Sequence, residues 1–122
     1  MATREDVLVL LKLDEVHGPS TEARKFAYSD ELAEVVKEGT FFETYGFDSD
    51  ERFWINEIAT YHELLADLWS QEIVDQSFAL GWSGAMFNWK LIGPILVQAR
   101  DVFGSDDLWT GFEALAAAQA ER

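Results

Sequence analysis

From Ser49 to Ser70 one pattern dominates the chain: Trp54, Ile58, Tyr61, Leu65 and Leu68 recur at intervals of four, three, four and three. Only a helix of about 3.6 residues per turn places such positions on one side. A strand would scatter them over both faces. Asp48 or Ser49 supplies the N-cap. Ile55, His62 and Trp69 fall on one shoulder of the stripe, and Leu64 lies on its other side. So wide an apolar arc requires neighbours on two sides, and a long helix with that requirement belongs inside a helical bundle.

The flanking segments supply the neighbours. Thr3 can cap a helix with Glu5 and Asp6 in its first turn, followed by the apolar run Val7 to Val16 and a stop at Gly18-Pro19. The β-branched residues leave a strand open over residues 6–16, but the run does not alternate, which favours helix. Thr21 to Tyr28 is helix-prone. Ser29, followed by Asp30 and Glu31, reads as a fresh cap, with Leu32, Val35 and Val36 inward and a stop at Gly39. Residues 40–48 are aromatic without a period and read as an ordered loop, with a short extended piece possible. A shorter helix is expected over Glu72 to Leu80, closed by Gly81, with Trp82-Ser83-Gly84 as connector. The next pattern, Ala85, Trp89, Ile92, Leu96, Ala99 and Phe103, predicts a long helix kinked at Gly93-Pro94 and stopped by Gly104. Ser105-Asp106-Asp107 reads as the cap of a last helix with Leu108, Trp109, Phe112, Leu115 and Ala116 inward, fraying after Ala117. The expectation is all-α: one domain over residues 1–122, a single bundle of about five or six helices. There is no internal repeat and no composition break.

Composition narrows the partners. The 23 acidic and 9 basic residues give a formal charge of −14. No stripe of Lys and Arg exists to neutralise phosphates, so neither nucleic acid nor an anionic membrane is an expected partner. Such charge favours solubility and attraction to basic partners. No cysteine is present, which removes disulfides, thiol nucleophiles and cysteine-based zinc sites. The apolar run Val7 to Leu11 is short and preceded by Glu5 and Asp6, unlike a secretory leader. No stretch approaches the roughly 20 apolar residues of a membrane span. A cytoplasmic location is the expectation.

Four pieces of the chain carry a resemblance: Glu22-Ala23-Arg24-Lys25-Phe26; Tyr61-His62-Glu63-Leu64-Leu65; Trp89 to Ile95 with Arg100; and Leu108 to Ala116. In that order and spacing, over roughly residues 22–117, they resemble a family of small helical bacterial proteins known only as a domain of unknown function. The tryptophan before Leu-x-x-Pro and the later aromatic-x-x-Phe-Glu-x-Leu-Ala are the more specific parts. The chain departs from the family in its Gly81-Trp82-Ser83-Gly84 turn and in its greater acidity. The resemblance implies an all-helical fold and supplies no activity.

Candidate chemistry is sparse. His62, between Tyr61 and Glu63, could act as a base or a metal ligand, but a metal needs convergent ligands, and no Glu-x-x-His or His-x-x-x-His pair occurs. A core-edge histidine hydrogen-bonded to a neighbour is the favoured reading. His17 sits where it complements a helix C-terminus. Glu63 and Asp67 read as a solvated polar face. Ser83 lacks the strand that a Gly-x-Ser-x-Gly nucleophile needs, and no phosphate-binding glycine loop exists. No catalytic residue, metal site or cofactor is assigned. Around the two glycines of the turn stand Trp82, Phe87, Trp89 and Lys90. Phe87 and Trp89 differ by about 200° around a helix, so they cannot both face one core. With Tyr61 and His62 they form the candidate ligand- or partner-binding set.

Three functions compete. The leading one is a non-catalytic helical interaction domain that self-associates, as a homodimer, or binds a protein partner. The second is an acidic inhibitor or immunity-type protein that binds a basic nuclease or DNA-binding protein. The third is a small-ligand-binding protein with a pocket near Tyr61, His62 and Trp89.

Overall fold

In the computed structural model, which describes residues 1–122, the chain folds into eight helices and no strands. Thr3 begins the first, α1 (Arg4–His17), with a full capping box: its side chain accepts from the Asp6 N–H, and the Asp6 carboxylate accepts from the Thr3 N–H. The open strand alternative for residues 6–16 is thereby closed. Ser20 and Ser29 cap α2 (Thr21–Ala27) and α3 (Asp30–Glu38) through side-chain oxygens that accept from the Ala23 and Leu32 N–H groups. Gly39 and Gly104 end α3 and α7 (Ala85–Phe103) in the left-handed region, which glycine enters without steric cost. Ser49 caps the long α5 (Asp50–Ser70).

The count exceeds the expected five or six because short turns of helix close where no period is legible. Phe41–Thr44 forms a single helical turn, α4, inside the segment read as a loop. The helix expected over Glu72 to Leu80 is displaced to α6 (Gln76–Trp82). Glu72 itself adopts a positive φ, Asp75 is the actual cap, and Gly81 lies inside the last turn instead of ending it. The final helix, α8 (Thr110–Ala120), starts later than the Ser105-Asp106-Asp107 signal predicts, with Trp109 at its N-cap position in a left-handed conformation.

Twenty-three buried residues form one apolar cluster. At its centre α5 packs against α1, α2, α6, α7 and α8. Its buried line is Ile55, Ile58, Ala59, His62, Leu65 and Ala66. That line is rotated toward the shoulder of the expected stripe: Trp54, Tyr61 and Leu68 are only half-buried, as is Trp69 at the far end of that shoulder. The rotation follows from the neighbours. α1 and α2 cover one flank of α5 while α8 covers another, and small Ala59 and Ala66 let helices approach at the true centre. Along α7, Ala85, Ile92, Leu96 and Ala99 are buried as expected. Phe103 is not: it stands 54 % exposed. Pro94 lies within α7 on its solvent side, and the helix continues through it as one element. No helix is long and apolar enough to cross a membrane.

Candidate functional site

The six residues singled out from sequence occupy three places. Tyr61, His62 and Trp89 converge on Phe112 of α8. His62 is 3 % exposed and stacks on the Phe112 ring at 4.5 Å, the two planes nearly parallel. Trp89 meets the same ring edge-on at 5.0 Å, and Tyr61 meets His62 edge-on at 5.1 Å. Close packing of Trp89 continues on its own helix, where a Cβ on Gly93 would lie 2.8 Å from the indole. Trp82 closes α6 and packs on Phe78. Phe87 and Lys90 point away from this centre. Phe87 is exposed and touches the Tyr28 ring at 5.5 Å, and Lys90 is exposed without an ion-pair partner. Of the two rings that cannot share one core, Trp89 is therefore the inward one and Phe87 the outward one.

The polar groups of this centre serve the fold. The His62 Nδ1–H donates to the Ile58 carbonyl one turn back at 2.8 Å, and burial lowers the imidazole pKa below its ordinary value, keeping the ring neutral. Tyr61 donates to the Asp14 carboxylate of α1. Burial first, and then that carboxylate, push the phenol well above its ordinary range, against the opposing influence of Trp82 and Arg24. Glu63, expected on a solvated face, accepts from the Phe112 N–H at 2.8 Å and the Gly111 N–H at 3.2 Å. It supplies the cap that α8 lacks from its own sequence, with the carboxylate against the positive end of the helix dipole. A Cβ on Gly111 would come within 2.7 Å of that carboxylate. None of the three main cavities of the molecule is bordered by Tyr61, His62 or Trp89; the Phe112 ring fills the space between them.

The largest of these three lies elsewhere. A groove of about 690 Å³ opens between α4, the first turns of α5, the last turns of α7 and the segment that leads into α8. Its floor is Ile55, Ile95, Leu96 and Ala99. Aromatic rings form the walls: Phe41, Phe42 and Phe47 on one side, Phe53 beside them, and Phe103 with Trp109 opposite. Phe47 and Phe53 are 79 % and 63 % exposed.

Two arginines hold the walls. Arg52 donates from Nε to the Tyr45 carbonyl at 2.8 Å and from Nη2 to the Phe42 carbonyl at 2.9 Å, with its guanidinium 4.8 Å from the centre of the Phe42 ring. This clamp fixes the aperiodic aromatic segment. Behind it Tyr45 is buried and donates to Glu31 at 2.8 Å; burial and then that carboxylate push its pKa up to about 12. On the far side Arg100 donates from Nε to the Leu108 carbonyl and from Nη2 to Glu113, each at 2.9 Å. It ties down the turn in which Trp109 holds φ +63°, a conformation that costs a non-glycine residue on the order of 1 kcal/mol. Phe42 and Phe103 touch across the groove, edge to face at 6.0 Å.

The groove is absent from the sequence-based expectations. Helical spacing places Phe103 and Trp109 inward, and Phe47 and Phe53 belong to no apolar stripe. The available signal is the surplus itself: large rings at positions no helical period explains. No group of three or more His, Asp or Glu side chains is close enough to hold a metal ion.

Fold and site together define an all-helical protein with a filled aromatic centre and an open apolar groove. The chain belongs to the family described as a domain of unknown function, DUF4760, whose match spans residues 10–119. No curated protein and no solved structure matches it.

Proposed function

We propose that the protein is a non-catalytic interaction domain that receives a protein partner in the groove between α5 and α7. One observation carries this reading: a cavity of about 690 Å³ lined mainly by apolar side chains, with Phe47, Phe53 and Phe103 standing largely exposed at its edge. Contiguous exposed apolar surface of this kind marks interaction sites, and aromatic rings in a preformed depression are the residues that carry interface energy. Arg52 and Arg100 are engaged in holding the walls, which is the arrangement of a rigid receptor. A cytoplasmic setting suits a cysteine-free acidic chain, and the net charge argues against nucleic acid or an anionic membrane as direct partner.

The test is selection of a displayed helical-peptide library on the full chain, with counter-selection on the double variant Phe53→Ser/Phe103→Ser. Enrichment of peptides that bind the wild type and not the variant is the expected result. Failure to enrich any groove-dependent peptide would remove the reading.

Self-association has its own support on the other side of the molecule. The outward side chains Leu8, Leu11 and Val16 of α1 are exposed, and α1 packs chiefly on α5 alone. Light scattering after size exclusion distinguishes the two: a dimer abolished by Leu8→Ser/Leu11→Ser favours self-association through α1, and a monomer removes it.

A further inference from the structure

The groove assigned above to a protein partner also carries a signature of charge. Asp48 lines it. Glu43 on α4, Asp50 at the start of α5, Asp101 near the end of α7, and Asp106 and Asp107 in the following turn are all exposed on the segments that build its walls. Arg52 is the one cationic side chain in the lining, and the carbonyls of Phe42 and Tyr45 occupy its guanidinium. Arg100 is likewise taken up by Leu108 and Glu113. Arg52 keeps its charge against those neutral carbonyls, but Asp48 stands beside it in the lining and the exposed carboxylates of the wall segments outnumber the two guanidiniums, so the net charge around the apolar trough is negative and favours a cationic occupant.

Resting on that interaction role, we propose that the groove binds a basic amphipathic helix of a partner protein, whose apolar stripe enters between Phe53 and Phe103 while flanking Lys and Arg face the carboxylate rim. The fold favours a helix over an extended peptide. The protein has no strand and so offers no sheet edge to extend, whereas a trough between two helices is the geometry that receives a third at i, i+3/i+4 and i+7 spacing. A second copy of this chain is the wrong occupant, because it would bring a further charge of −14 to an already acidic rim. A small apolar molecule fits less well. Such sites enclose most of their ligand, whereas this groove is open and its edge rings stand largely exposed. The exposed rings of Phe47 and Phe53 are also of a kind that only a partner surface covers.

The experiment uses the full chain and three fluorescein-labelled synthetic helices that share one leucine stripe and carry Lys, Gln or Glu at all other positions. Binding is read by anisotropy at low and high salt. The Lys helix is expected to bind at least about tenfold more tightly than the Gln helix at low salt, with that advantage collapsing at high salt and the Glu helix not binding. Phe53→Ser/Phe103→Ser abolishes binding of the Lys helix. Asp106→Asn/Asp107→Asn, which leaves the apolar trough intact, weakens the Lys helix and leaves the Gln helix unchanged. Circular dichroism confirms that both variants are folded.

Lys-helix binding that survives Phe53→Ser/Phe103→Ser is adsorption to a general acidic surface and overturns the proposal. Equal binding of the Lys and Glu helices overturns it as well. Groove-dependent library peptides that lack basic residues would refute this partner class while leaving the interaction reading standing; absence of any groove-dependent binder removes both.

Discussion

Two aromatic regions lie along α5, one at its first turns and one at its middle, and they differ in what their rings meet. Around His62, four rings from α5, α7 and α8 fill one another's space: Tyr61, His62, Trp89 and Phe112. Around Phe53 the rings of Phe47, Phe53 and Phe103 face a cavity of about 690 Å³. Their polar neighbours differ in the same sense. At the centre Tyr61 binds the Asp14 carboxylate of α1, His62 a carbonyl of its own helix and Glu63 the start of α8, so the polar groups complete the core. At the groove Arg52 and Arg100 each fix the backbone of a segment that carries wall rings, and beside the Phe42–Phe103 contact the trough stays open. Aromatic content alone does not distinguish a core from a receptor surface. What distinguishes them is whether a facing element has been supplied within the chain.

The sharpest test of that contrast is Phe112→Ala. Phe112 is fully buried, and its removal leaves His62 and Trp89 facing a void, so a loss of about 3–5 kcal/mol is expected in urea unfolding. A loss below 1 kcal/mol would mean that the centre is loosely packed and the contrast false.

Ionisation probes the same centre and the groove wall from two directions. Tyr45 and Tyr61 have folded pKa values raised above the unfolded value of 10.0. Their contribution is fully present below pH 10 and is lost as pH rises toward the folded values, near 12 for Tyr45. Tyr45→Phe should flatten the alkaline decline. His62 behaves in the opposite sense. Its folded pKa is depressed below 6.5, so its contribution is present above pH 6.5 and is lost as pH falls through the folded value. Unfolding titrations of His62→Phe should show a shallower acid decline than wild type. An unchanged slope would contradict burial of a neutral imidazole.

A smaller effect is expected at Glu63. Glu63→Gln keeps an acceptor for the Phe112 and Gly111 amides but removes the charge at the start of α8. The expected cost is about 1 kcal/mol, reduced at high salt. A salt-insensitive loss would assign the effect to packing.

The helices around α5 are legible in the sequence because their signals are local. Thr3, Ser20, Ser29 and Ser49 cap as their side chains allow, and Gly39 and Gly104 end helices where the chain turns left-handed. The departures share one physical cause, which is action at long sequence separation. The N-terminus of α8 is capped by Glu63 from α5, so the local Ser105-Asp106-Asp107 signal misleads. The apolar centre of α5 is set by which neighbours press on it, so the true line runs through Ala59 and Ala66. The groove leaves only its surplus of rings in the sequence, because one wall comes from an aperiodic segment, Phe41 to Phe47, whose shape depends on Arg52 reaching back to two carbonyls. Of the candidate residues, Tyr61, His62 and Trp89 share a place, but their faces are turned to one another.

The most direct measurement is made on the double variant Phe53→Ser/Phe103→Ser, with urea unfolding and binding of the selected helical peptides recorded on the same sample. If the groove rings serve a partner, stability stays within about 0.5 kcal/mol of wild type while peptide binding is lost. A drop of several kcal/mol would show that these rings belong to the core, and unaltered binding would show that the groove is not the receptor; either result contradicts the account.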